Sequence, residues 1–202
     1  YRLGSIASPE TGSSMCETIT IVSGLPRSGT SMMMRMLEAG GMDVVTDNVR
    51  KADVDNPRGY YELERVKKIE SNSCWLPEIH GKACKMVSRL LYNLPAEHEY
   101  QIIFMKRDME QMLRSQQKML DRLGKSGGSV SDEQMAKLFL DELANVEQWL
   151  CEQGNIRVIY MNYEDVVRKP AEAATGIEQF VHQYLDVPAM AGIVDPELHR
   201  NR

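Results

Sequence analysis

The chain has 202 residues, of which 43% are hydrophobic and 26% charged, and it carries a net charge of −5. That length suffices for one domain with a full core, and the balance is that of an ordinary globular protein. An acidic total without a long basic run argues against a broad nucleic-acid surface, and no apolar run approaches the roughly 18 residues of a membrane span.

The four cysteines, at 16, 74, 84 and 151, form no CxxC pair. They read as reduced thiols of a cytoplasmic protein rather than a disulfide framework or a zinc site. The 14 methionines read as adaptable core filling.

Residues 1–17 are rich in Gly, Ser and Pro and are expected to form a flexible arm, with a single α/β domain over 18–202. Residues 18–23 are β-branched and read as a buried strand. GLPRSGTS follows at 24–31. Met32, Met33, Met36 and Leu37 then recur at helical spacing up to Gly40-Gly41. Residues 43–57 look polar and irregular, and 59–70 are expected to be a short helix. Strands are expected at 83–87, 101–106 and 156–161. A helix follows the third strand over about 109–123, and 124–129 (GKSGGS) reads as a flexible loop. Ser131 and Gln134 have the spacing of a capping box that opens a long helix. A last helix carries Ile177, Phe180, Val181, Tyr184 and Leu185 on its apolar side. Strands alternating with helices predict a parallel sheet covered on both faces, with ligands at the carboxyl ends of its strands. The glycine loop, Arg107 and Tyr163-Glu164-Asp165 all fall at that end.

Strand, glycine loop and helix form the setting of a phosphate cradle. Gly24 and Gly29 have the spacing of a P-loop and Ser31 closes it, but Thr30 stands where an NTPase carries lysine. The hydroxyls of Thr30 and Ser31 and the inward-turned backbone of Ser28 and Gly29 suit an anion. Arg27 inside the loop suits stabilisation of charge on a departing phosphate oxygen. The missing lysine weakens a triphosphate reading.

PRSGTS after a strand resembles the 5′-phosphosulfate loop of sulfotransferases that use 3′-phosphoadenosine 5′-phosphosulfate (PAPS). In that family the third strand ends on an Arg, with a Ser eight residues later, and together they bind the 3′-phosphate. QIIFMK here is followed by Arg107, and Ser115 stands at that spacing. IYMNYEDVVRKP (159–170) is similar to a later family segment, which implies Tyr163 near the adenine. KACKMVSRLLYNLP (82–95) is similar to the segment whose strand lysine faces the sulfuryl group, which implies that role for Lys85. DNPRGYYELE (55–64) and the closing VDPELHRNR resemble segments of compact bacterial members. The resemblance runs from about residue 18 to the end and implies a P-loop NTPase-like sheet of the sulfotransferase type.

The activity it implies is sulfuryl transfer from PAPS to a hydroxyl or amine of a small-molecule, glycan or lipid acceptor, with Arg27 and Lys85 supplying cations and no metal expected. The family's bases vary. The segment matching 85–90 lacks the histidine of many animal enzymes. The glutamate that tyrosylprotein sulfotransferases use corresponds to Asp47, which is favoured here, and Glu62 is a further candidate. The family's Arg-Lys-Gly closing segment has no counterpart, and Arg200 or Arg202 is left as its substitute. Two rival readings share the loop: a noncatalytic nucleotide-binding module of the same fold, and a P-loop kinase.

Overall fold

The computed structural model describes residues 18–47, 59–122, 124 and 131–194. The expected arm at 1–17, all of the glycine-rich loop but Gly124, and both tail arginines lie outside the described residues.

Five parallel strands form one sheet in the order β2-β3-β1-β4-β5. They are β1 (Ile19–Gly24), β2 (Val44–Val45), β3 (Ala83–Lys85), β4 (Tyr100–Lys106) and β5 (Ile156–Asn162). The central strands β1 and β4 are rich in apolar residues and buried almost throughout because both their faces are covered. Val22, Ala83, Ile103 and Met105 face one layer, made by α1 (Thr30–Ala39), α4 (Tyr163–Arg168), α5 (Pro170–Val181) and α6 (Val187–Gly192). Ile19, Ile21, Cys84, Ile102 and Phe104 face the other. There Val146 and Leu150 of α3 (Asp132–Glu152) pack beside three 3-10 segments, Val66–Lys68, Leu76–Ile79 and Ser88–Asn93. The remaining helix, α2 (Met109–Arg122), leaves the carboxyl tip of β4 and buries Met112 and Ser115.

α1 starts where expected, and its buried side is almost wholly methionine: Met32, Met33, Met34 and Met36, with Leu37. The capping box at the start of α3 is present in both directions, Ser131 Oγ accepting from Gln134 N and Gln134 Oε1 from Ser131 N.

The structure corrects three expectations. The stretch 43–57 begins with a strand, β2, held by β3 through Val44 and Val45. The helix expected over 59–70 is a single 3-10 turn at Val66–Lys68, because Gly59 (φ 91°) and Tyr61 (φ 51°) both sit in left-handed backbone. The helix expected to be last, α5, ends at Val181, where His182 turns left-handed (φ 52°), and α6 follows it. Tyr184, placed on the apolar side by its spacing, is therefore 87% exposed, while Leu185 stays buried.

Candidate functional site

β1 delivers the glycine loop to the middle of the sheet's carboxyl edge, where the strand order turns about β1. A Cβ on Gly24 would lie 2.5 Å from the Met105 carbonyl oxygen and 2.6 Å from Ser28 Oγ, so only glycine lets β1 and β4 run side by side into the loop. Gly29 (φ 103°) is the N-cap of α1 and its carbonyl accepts from Met32 N and Met33 N. The N–H groups of the first turn, at Thr30 and Ser31, have no intrahelical acceptor. No acidic side chain lies in that turn, so the positive end of the helix is left for an anion. Ser28 is almost fully buried, with its hydroxyl tucked against Gly24.

One flank of the loop joins residues far apart in the chain. Arg27, itself at φ 70°, donates from Nε to Ser115 Oγ at 2.9 Å. Arg107 donates from Nη1 to the Arg27 carbonyl at 3.2 Å and from Nη2 to Gln111 Oε1 at 3.2 Å. Its guanidinium lies 4.2 Å from the centre of the Tyr163 ring, and Nε is 4.0 Å from a carboxylate oxygen of Glu164. The Arg107 side chain is only 8% exposed, and burial lowers its pKa. Tyr163 and Glu164 offset that burial, and a guanidinium stays charged in any case. Arg107 Nε and Glu164 Oε1 are buried and have no hydrogen-bond partner among the described residues.

Tyr163 packs against both the loop and Arg107. A Cβ on Gly29 would meet its ring at 2.5 Å, and Arg107 lies against the ring as well. Burial raises its phenol pKa. The ring is thus placed to hold Arg107 against the loop, a contact that a motif match does not reveal.

On the other flank β3 ends on Lys85, whose Nζ reaches Ser31 Oγ at 3.4 Å and hydrogen-bonds the carbonyl of Tyr60. Ser31 Oγ donates to the same carbonyl at 3.3 Å. The carboxyl end of β2 lies beside β3 and carries Asp47. Asp47 Oδ2 accepts from Glu64 N at 2.6 Å, and Asp47 N donates to the Glu62 carbonyl at 3.2 Å. The Glu62 carboxylate is 3.3 Å from Lys67 Nζ. The two carboxylates expected as bases thus come from two stretches joined at the tip of β2, next to the strand that carries Lys85, and each already has a partner. His80 lies at the opposite pole of the sheet, where Gly81 N meets the Thr18 carbonyl, and its ring pairs with His98 at 3.2 Å.

The structure therefore brings Arg27, Thr30, Ser31, Lys85, Arg107, Ser115 and Tyr163 to one edge of the sheet. Sequence reasoning missed Tyr60 and Gln111. Tyr60 acts through its carbonyl, which no residue type announces, and Gln111 one turn along α2 from Arg107 could have been found from i, i+4 spacing.

No family model and no curated protein sequence matches the chain. Among solved structures it is similar to the sulfotransferase domain from the curacin biosynthetic pathway. The TM-score is 0.53 and the identity 15%, over 86% of this chain and 76% of that one. A second similarity is to retinol dehydratase in complex with androsterone and inactive cofactor PAP. There the TM-score is 0.44 and the identity 14%, over 90% of this chain and 64% of that one. The first likeness, with the parallel sheet and the glycine loop after its central strand, shows a P-loop NTPase-like fold of the sulfotransferase type.

Proposed function

We propose that the chain is a PAPS-dependent sulfotransferase, cytoplasmic and carried by one domain from residue 18 onward, that transfers a sulfuryl group to a hydroxyl or amine of a small-molecule, glycan or lipid acceptor. The observation that carries the reading is the hydrogen bond from Arg27 to Ser115, across 88 positions, with Arg107 on the Arg27 carbonyl. A 5′ cradle and a separate basic anchor are thereby joined in one site, as a nucleotide with phosphates at both its 5′ and 3′ positions requires. The sulfotransferase-type fold and Thr30 in place of lysine support it further.

In this reading the first turn of α1, with Thr30 and Ser31, holds the 5′-phosphosulfate. Arg107 and Ser115 hold the 3′-phosphate, and Tyr163 keeps Arg107 in place. The acceptor oxygen or nitrogen attacks sulfur in line. The bond from sulfur to the 5′-phosphate oxygen breaks, and 3′,5′-adenosine bisphosphate leaves. Arg27 and Lys85 stabilise the charge that builds on the phosphate and sulfuryl oxygens. The acceptor proton passes to a carboxylate, for which Asp47 is the first candidate and Glu62 the second.

One observation favours the noncatalytic module as a second reading: both carboxylates are already engaged, Asp47 by Glu64 N and Glu62 by Lys67. Thermal unfolding with the bisphosphate and with Mg-ATP tests the binding site. A ligand at a hundred times its dissociation constant adds about 2.7 kcal/mol, which is a rise of roughly 5–10 °C for a domain of this size. A rise with Mg-ATP and none with the bisphosphate would refute the reading in favour of a kinase. Release of bisphosphate from PAPS, faster with acceptor than without, separates the enzyme from the module.

A further inference from the structure

Arg107 differs from the surface arginines of this chain in what it hydrogen-bonds. Arg65, Arg114 and Arg168 each pair with a carboxylate, of Glu78, Glu110 and Asp165 respectively. Among the described residues, both hydrogen bonds of Arg107 end on neutral oxygens, the Arg27 carbonyl and Gln111 Oε1. Acidic neighbours are at hand. Asp108 is next in the chain, yet its Oδ1 accepts from Gln111 N at 3.0 Å. Glu164 faces Arg107, yet Oε1 stops 4.0 Å from Nε, and neither atom has a hydrogen-bond partner among the described residues. A buried charge is ordinarily paired with an opposite one. Here the guanidinium is buried and oriented but makes no hydrogen bond to a carboxylate.

Gln111 is diverted from another task to do this. Asp108 caps α2, its carboxylate taking Gln111 N and its carbonyl taking Met112 N. Gln111 is therefore the third residue of the helix, at capping-box spacing from its cap. Where the same spacing recurs, at Ser131 and Gln134, the glutamine turns back onto the N–H of the capping residue. Gln111 turns to Arg107 instead. Arginine has no acceptor, so the amide must present its oxygen there and not its nitrogen.

We propose that Gln111 is a positioning residue for a 3′-phosphate: a neutral acceptor that fixes the Arg107 fork without neutralising its charge. The proposal rests on the sulfotransferase reading. A glutamate is of the same length and would hold the fork more tightly, since a charge-assisted hydrogen bond is the stronger one, but its charge would already fill the place of the anion. An aliphatic residue would remove the acceptor and let the fork turn to Glu164. Stability and anion binding therefore favour different residues at position 111, and the chain carries the one that suits binding.

Calorimetric titration with the 3′,5′-bisphosphate and with 5′-AMP, together with thermal unfolding, tests this on the full chain, on Gln111→Glu and on Gln111→Met. Gln111→Glu is expected to melt about 2–4 °C higher. Its preference for the bisphosphate over 5′-AMP is expected to fall by about tenfold or more, because like charges then meet, with 5′-AMP affinity changed by less than about threefold. Gln111→Met is expected to melt about 2–4 °C lower and to lose about three- to tenfold of the preference. Gln117→Glu puts a charge on an exposed part of the same helix and should keep the preference within about twofold. A purely structural Gln111 ties binding to melting. A Gln111→Glu chain that melts higher and keeps its preference therefore overturns the inference and leaves the sulfotransferase reading intact, and so does one that melts lower and binds less. Full preference in Gln111→Met overturns it as well, as does an equal loss in Gln117→Glu, which would make the effect one of general charge. A parent chain with no preference for the bisphosphate removes the 3′-anchor reading, and the role of Gln111 with it.

Discussion

Replacing Arg107 with alanine separates the two tasks given to this side chain, bracing the loop and binding a 3′-phosphate. The variant loses hydrogen bonds to the Arg27 carbonyl and to Gln111, together with the contact on the Tyr163 ring. It also strands a buried carboxylate oxygen of Glu164 that faces Arg107 Nε at 4.0 Å. At about 1 kcal/mol for each lost hydrogen bond and about 0.5–1 kcal/mol for the ring contact, the cost is about 2–4 kcal/mol. Melting should fall by about 5–15 °C. Binding should be measured well below that transition, by calorimetry, with the 3′,5′-bisphosphate and with 5′-AMP, which lacks the 3′ group. Hydrogen bonds to a charged group contribute about 1.5–3 kcal/mol. The parent chain should therefore favour the bisphosphate by about 10- to 150-fold, and Arg107→Ala should lose most of that preference. Arg107→Lys keeps the charge but not the fork, and should restore only part of it. A variant that melts earlier yet keeps the full preference for the bisphosphate would refute the 3′-anchor assignment.

Two further outcomes follow from geometry and titration. Gly29→Ala places a methyl 2.5 Å from the Tyr163 ring at φ 103°, whereas Gly41→Ala, at φ 93°, meets open space. Both pay the backbone cost of about 1 kcal/mol, and only Gly29→Ala should cost more and abolish bisphosphate binding; equal melting shifts would contradict the packing described. Tyr100 is buried, donates its hydroxyl to the Pro95 carbonyl, and has its pKa raised above 10.0 by burial first and by Glu97 and Cys84 after it. The folded state holds this proton more tightly than the unfolded chain, so the stability it contributes is complete below about pH 10 and is lost as pH climbs towards the folded pKa. Urea unfolding from pH 8 to 11.5 should show that decline, and Tyr100→Phe should flatten it; an equal decline in the variant would assign the effect elsewhere.

What the sequence revealed depended on whether a residue acts by its type or by its backbone. β1 and β4 are buried on both faces, so they appear as short segments rich in apolar residues, and the glycines of the loop are demanded by the backbone approach at Met105 and by the Tyr163 ring. Arg107 and Ser115 were singled out by the family resemblance and not by their spacing alone, and in the fold both hydrogen-bond to Arg27. β2 could not be read, because two residues carry no periodicity and its pairing comes wholly from β3. The apolar spacing of 177–185 was real, but the chain leaves the helix at His182, and spacing alone gives no sign of that turn. The contact of Lys85 and Ser31 with Tyr60 was hidden for a related reason: its acceptor is a carbonyl, which every residue has.

The methionine side of α1 bears on how the cradle yields. Met32, Met33, Met34 and Met36 lie in one buried layer with Met42, Met105 and Met190. Unbranched thioethers change rotamer at little cost and refill space as they do so. A helix seated on them can advance or withdraw by a fraction of an ångström without opening a void, where β-branched neighbours would resist. The bed beneath the loop is thus suited to a compliant mount, firm enough to aim the helix end and soft enough to let that end shift when the loop takes up an anion. The seven buried ε-methyl groups of that layer among the described residues are also native NMR probes of that movement.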